Sequence, residues 1–170
     1  MLNNLKKSGV LLLSIGLFST SQILAQPILD QKTYEKAVQL LSNRLHTTGE
    51  LHRKLKTRGF EDEGIRAVLK KLEDLDFLND ERFAEIFVDN LKRYKDWGYF
   101  GIKAKLSARQ IPGDIAARAL ENFFTLEDEL LVAKKFLKKR GKLSYEKLAR
   151  ALSGKGFRSE ITSQVLKNSD

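Results

Sequence analysis

The sequence predicts an all-α protein of three tandem three-helix modules, each helix-turn-helix-like, in an elongated, curved array. Three observations carry that expectation. First, one spacing of apolar residues occurs three times. Leu51, Leu55, Phe60 and Leu69 lie 4, 5 and 9 apart; Ile102, Leu106, Ile111 and Leu120 repeat the spacing, as do Leu148, Leu152, Phe157 and Leu166. Self-similarity at a period near 50 residues marks a repeat architecture. Second, each copy sets two apolar residues four apart on a helix face, then breaks at a turn preceded by a basic residue, Arg58, Arg109 or Lys155. Gly59 and Gly156 supply the left-handed residue that ends a helix at little cost. Third, apolar residues recur with helical periodicity, and no window alternates in the manner of a strand.

The elements follow in order. Residues 1–30 are an N-terminal apolar extension. Lys6 and Lys7 precede an apolar run, 10–18, and small and polar residues follow up to Ala25. That layout is signal-like, but the run is shorter than the roughly 20 apolar residues of a bilayer span. Pro27 and Asp30 mark where the folded part begins. A first helix is expected over 31–45, with Tyr34, Ala37, Val38, Leu41 and Leu45 on one face. Thr47, with Glu50 three residues on, reads as a capping box that starts the Leu51 helix. Glu61 or Asp62 opens a third helix, ending near Asp76, which completes module 31–78. Asn79 and Asp80 cap a long helix over 81–95, turning Phe83, Ala84, Phe87, Val88 and Leu91 inward. The loop 97–101 breaks it, a shorter helix runs to Arg109, and Pro112 at a first-turn position starts the last helix of module 79–124. Gln110 stands where the other copies have glycine, which points to a different cap there, with Pro112 and Gly113 supplying the break. In module 125–170, Leu130, Ala133, Phe136 and Leu137 share a face, Gly141 ends the helix and Ser144 caps the next.

Composition excludes several chemistries. The chain has no cysteine, which rules out disulfides, thiolate metal sites and cysteine nucleophiles. His46 and His52 are the only histidines, six apart, with no carboxylate at a metal-motif spacing, and they read as helix-surface or capping residues. Asp74 with Asp76, and Glu61 to Glu63, sit at helix ends where carboxylates cap. No phosphate-cradling glycine loop is present. No catalytic residue, metal ligand or cofactor site is therefore assigned.

The net charge of +9 is uneven: residues 125–170 alone carry eleven basic against six acidic residues. An anionic partner or a solubilising tail would each account for it. Arg53, Lys54, Lys56 and Arg58 cluster on the exposed side of the Leu51 helix. Lys103, Lys105 and Arg109 do so on the matching helix of the second copy. Lys147, Arg150 and Lys155 follow in the third, beside Lys134, Lys135, Lys138, Lys139 and Arg140. If the repeats stack regularly, equivalent helices line one side and the clusters join into a stripe for phosphates or a filament. The plainer reading, charges solvating a helix, stays open. Trp97, Tyr99 and Phe100 fit either a buried hinge or stacking on a base.

Three stretches also resemble a known family. Arg44-x-His46-Thr47-x-x-Glu50-Leu51-x-x-Lys54-Leu55-x-x-Arg58-Gly59-Phe60 resembles the signature of the RecX family of recombinase regulators. Leu75-x-Phe77-Leu78-Asn79-Asp80-Glu81-Arg82-Phe83-Ala84 is similar to the start of that family's middle module, and Gly98-x-x-Gly101-Ile102-x-x-x-Leu106 is similar too. The resemblance covers residues 31–168. It implies a cytoplasmic, non-enzymatic protein that binds the RecA recombinase and its nucleoprotein filament and so modulates recombination, DNA repair, ATP hydrolysis and SOS signalling. Expected partners are the RecA filament and DNA, single- or double-stranded, through phosphates. No cofactor and no membrane are expected, and the chain is expected to be a monomer. The apolar extension does not belong to the family pattern and is read as lying outside the fold. Two other functions stay open. A helix-turn-helix transcription regulator is disfavoured because the second helix of each pair lacks base-reading side chains; between Ile115 and Leu120 only Arg118 offers one. A secreted helical protein rests on residues 1–25 alone.

Overall fold

The computed structural model describes residues 30–141 and 143–167, so the expectations for residues 1–29 lie outside the described residues. Among the described residues are nine α-helices and no strand. They are α1 (Gln31–Asn43), α2 (Thr48–Lys56), α3 (Asp62–Asp74), α4 (Asp80–Tyr94), α5 (Tyr99–Ala108), α6 (Gly113–Phe123), α7 (Leu126–Lys138), α8 (Tyr145–Gly154) and α9 (Ser159–Lys167). The fold is an all-α helical repeat.

The repeated spacing has one structural cause. In every copy the second helix ends in a Schellman turn. The amides of Phe60, Ile111 and Phe157 donate to the carbonyls of Leu55, Leu106 and Leu152 at 3.2–3.3 Å. The amides of Gly59, Gln110 and Gly156 donate to those of Lys56, Ser107 and Ser153 at 2.8–2.9 Å. The turn residue has φ of 84°, 60° and 76° respectively. The second turn therefore needs no different cap: Gln110 itself takes the left-handed conformation, at roughly 1–2 kcal/mol. Pro112 does not sit within the first turn of α6 but caps it. The apolar residue that follows each turn folds back over its helix, and Leu55, Leu106 and Leu152 have no exposed surface at all.

The core has two parts. Ala37, Leu51, Leu55, Ile65 and Leu72 anchor one around α1 to α3. A single continuous cluster spans α4 to α9, running from Ala84 through Leu106 and Leu120 to Phe136, Leu152 and Leu166. The second and third copies thus share a core, and the first keeps its own. On α1 the expected face is met in part: Ala37 is buried and Tyr34 and Leu41 pack half-buried against the core, but the buried stripe is shifted. Thr33, Ala37 and Leu40 are buried, whereas Val38 is 40% and Leu45 57% exposed. Both stripes have helical spacing. Ala37 belongs to both, and packing against α2 and α3 buries the stripe that continues through Thr33 and Leu40. Leu45 lies beyond the end of α1 at Asn43.

Candidate nucleic-acid interface

The basic residues are positioned by α2, α5 and α8, so the way these helices join decides what the cations can do. The first four amides of a helix lack intrahelical partners and its last carbonyls lack donors. Here one helix end satisfies another. The Thr47 hydroxyl, at the start of α2, donates to the Arg109 carbonyl in the turn after α5 at 2.6 Å. The Gly98 amide, at the start of α5, donates to the Lys155 carbonyl after α8 at 3.0 Å. One residue on, the Thr48 amide donates to Asp80 at 2.8 Å and the Tyr99 amide to Glu129 at 3.0 Å. Each of those carboxylates lies four residues before a fully buried alanine, Ala84 or Ala133. The same position before Ala37 is Thr33, which bonds Asp30 instead. The three helices α8, α5 and α2 are thus linked head to tail, the positive end of one against a carboxylate and the carbonyls of the next.

Close approach at these joints requires glycine. A Cβ on Gly49 would stand 2.6 Å from the Gln110 Cβ; one on Gly98 would stand 2.3 Å from the Phe157 Cα, and one on Gly101 2.3 Å from the Lys155 carbonyl oxygen.

Each joint also buries a charge cluster. At the first, Glu50 accepts from Arg44 at 3.1 Å and Arg109 at 3.0 Å, and lies 3.2 Å from His46 Nδ1. The capping box is accordingly half formed. Thr47 accepts from the Glu50 amide at 3.0 Å, but the Glu50 carboxylate turns to this cluster. A complete box occurs at Thr125 and Asp128. His46 is not on a helix surface, as its sequence position suggested, but is buried against Glu50. His52 is half-buried, 3.6 Å from Asp62. At the second joint, Glu129 is fully buried and accepts from the Tyr99 amide, from the Arg158 amide at 2.9 Å and from Arg158 Nε at 2.5 Å.

Burial disfavours the His46 imidazolium and Arg44 repels it, which together outweigh Glu50 and hold its pKa below the ordinary value. Burial alone would raise Glu50, but Arg44, His46 and Arg109 overcome that and lower it. With Glu50 ionised, the neutral ring donates from Nδ1. The unfolded chain therefore takes up the His46 proton first as pH falls. This part of the stability is complete above the ordinary histidine pKa of about 6.5 and is lost below it, toward the lower folded value. Glu50 contributes in the same sense only below its ordinary pKa of about 4.3. We expect the melting temperature to fall between pH 7.5 and 5.5, and His46→Gln to flatten that slope; identical slopes would refute the assignment.

The structure sorts the predicted basic residues by environment. Arg109 reaches Glu50, and Lys105 and Lys155 each place Nζ 4.0 Å from the centre of the Trp97 ring. These three belong to the joints, and Trp97 is half-buried between the two lysines. The position that is basic in every copy, 58, 109 and 155, reaches across a joint in the second and third. In the first, exposed Arg58 donates to the Lys54 carbonyl. Lys56 pairs with Asp62 at 2.7 Å and Arg150 with Glu146 at 3.7 Å. Arg53, Lys54, Lys103 and Lys147 form no ion pair among the described residues, and of these Arg53, Lys103 and Lys147 are exposed. From the cluster beside the third copy, Lys135 donates to the Arg93 carbonyl and Lys139 to Asp96. Arg118, the one base-reading candidate between Ile115 and Leu120, is held by Glu81 and Asp114.

Sequence reasoning missed Glu129, Arg158 and the joint roles of Asp80 and Glu50. The available signal was a carboxylate four residues before an alanine in two copies. Among the described residues no group of histidines and carboxylates would hold a metal, and no helix is long and apolar enough to cross a membrane.

Comparison with known proteins agrees with this architecture. A solved RecX from Lactobacillus salivarius superposes with a TM-score of 0.74 at 28% identity, covering 81% of this chain and 94% of that one. A second structure, a regulatory protein RecX, gives 0.72 at 25% identity over 81% and 72%. The regulatory protein RecX of Prosthecochloris aestuarii is 34% identical over 80% of this chain and 92% of its own length. That of Bacillus subtilis is 31% identical over 80% of this chain, which spans about half of that longer relative. A family model described as the first three-helix domain of RecX matches residues 34–72, and one described as the second matches 79–120. Those limits enclose the first two copies of the spacing, each with its Schellman turn. By fold, by repeat and by relatives alike, the chain belongs to the RecX family of non-enzymatic regulatory proteins.

Proposed function

We propose that this chain binds the RecA recombinase and its nucleoprotein filament, meets DNA through its phosphates, and thereby modulates recombination, DNA repair and SOS activity in the cytoplasm as a monomer. The supporting observation is the head-to-tail link of α2, α5 and α8 with their exposed cations: Arg53 on α2 and Arg58 in the turn after it, Lys103 on α5, and Lys147 and Arg150 on α8. Helices joined in register present charge at intervals that a repeating filament can match. Residues 31–78, 79–124 and 125–170 act as its three modules.

Capture of the chain by RecA, with and without single-stranded DNA and ATP, tests the partner; no capture in any condition overturns the reading. Salt titration tests the cations. Removing one phosphate-binding cation should reduce the slope of log affinity against log salt by about one unit. Arg53→Ala with Arg58→Ala should weaken filament binding, and Lys147→Ala with Arg150→Ala should weaken binding to naked DNA more. Each double should lower the slope by about two units and act equally on all DNA sequences. Unchanged slopes with unchanged helicity would mean that these residues only solvate their helices.

A further inference from the structure

We propose that an apolar groove along α1 is the docking site of the chain's own apolar stretch at residues 10–18. The groove encloses about 510 Å³ and is lined chiefly by Tyr34, Val38, Leu41, Leu45, Leu72 and Phe77. It arises because α1 carries two apolar stripes. Thr33, Ala37 and Leu40 face the core; beside them Tyr34 and Leu41 are half-buried at its edge, and Val38 and, just past the helix, Leu45 stay 40% and 57% exposed. Phe77, 60% exposed, forms the opposite wall. It is held there by a hydrogen-bonded turn: its amide donates to the Leu72 carbonyl at 2.9 Å, behind Asp76 at φ 57°. The Asp76–Arg82 ion pair, 2.6 Å, sits at the rim. The opening is thus built into the turn and the helix, and an exposed apolar surface of this kind marks an interaction site.

The occupant follows from the sequence. Residues 10–18 read VLLLSIGLF, without a charge, and residues 19–29 connect them to Asp30, where α1 begins. Eleven residues reach about 36 Å when extended. The thirteen residues of α1 span only about 20 Å, so the stretch can reach any part of the groove. A segment tethered this closely has an effective concentration in the millimolar range, enough to populate even a weak apolar contact. A second copy would have to make the same contacts without that advantage.

The chain contains no cysteine, so an introduced pair reports cleanly. Full-length Leu13→Cys with Val38→Cys, oxidised in dilute solution, should form an intramolecular disulfide. It should do so about tenfold faster than Leu13→Cys with Ser153→Cys, whose second site is exposed on α8. Leu45→Asp added to the first pair should remove the preference. Leu12→Cys and Ile15→Cys in place of Leu13→Cys sample the other faces of the stretch. The proposal is overturned if none of the three positions prefers residue 38, or if links to residue 38 form only between chains.

Discussion

Glu129→Ala should lower the stability of this protein by about 3–5 kcal/mol, more than other single substitutions at the joints. The carboxylate has no exposed surface and is the acceptor for two backbone amides and one guanidinium. Its loss leaves the Tyr99 and Arg158 amides without an acceptor and leaves Arg158 only the exposed Glu160, 3.9 Å away, as a charge partner. Arg158 is only 24% exposed, and its Nη2 already lacks a hydrogen-bond partner. Breaking a buried pair from one side costs more than the pair contributes, because the orphaned charge must still be desolvated. At roughly 2–4 °C per kcal/mol for a chain of this size, the melting temperature should drop about 10 °C. The double variant with Arg158→Ala should be less destabilised than the two singles combined, since the second substitution removes the stranded charge. A melt of Glu129→Ala within two degrees of wild type would show that the second joint does not depend on this cluster.

The second large effect is expected at Leu106→Ala, about 2–5 kcal/mol, through reduced burial and the cavity left behind. Leu106 is fully buried in the core shared by α4 to α9, and its carbonyl also accepts the Ile111 amide that closes the turn. The cavity would open in the cluster that joins the second and third copies, so both should lose protection from hydrogen exchange together. Protection lost around α5 and α6 alone would mean that the two copies unfold separately.

Much of this was legible along the chain. Leu55, Leu106 and Leu152 share a spacing because each anchors the same turn, and local hydrogen bonds within six residues fix that turn whatever surrounds it. The Gln110 turn departs from expectation for a related reason. Sequence preference at a left-handed position reports intrinsic cost, whereas the surrounding bonds decide whether that cost is tolerated. The buried face of α1 differs from the expected one because two stripes satisfy the same period, and a period cannot say which one another helix will cover.

The basic residues divide along the same line. Charge and helical spacing place Arg53, Lys103 and Lys147 on outer faces, and there they lie. Nothing local distinguishes them from Lys105, Arg109 and Lys155, whose surroundings come from partners 50 to 60 residues away or from the Trp97 ring. By itself, then, the sequence determined the helices, the two glycine turns, the repeat and the family, because those depend on short-range periodicity and backbone preference. The tertiary structure alone decided that helix ends would satisfy one another across the joints. It thereby decided which carboxylates are buried, which cations form no ion pair, and that an apolar groove lies beside α1. Those outcomes depend on groups far apart in the chain, each needing a hydrogen bond or a covering surface that only the assembled repeats provide or withhold.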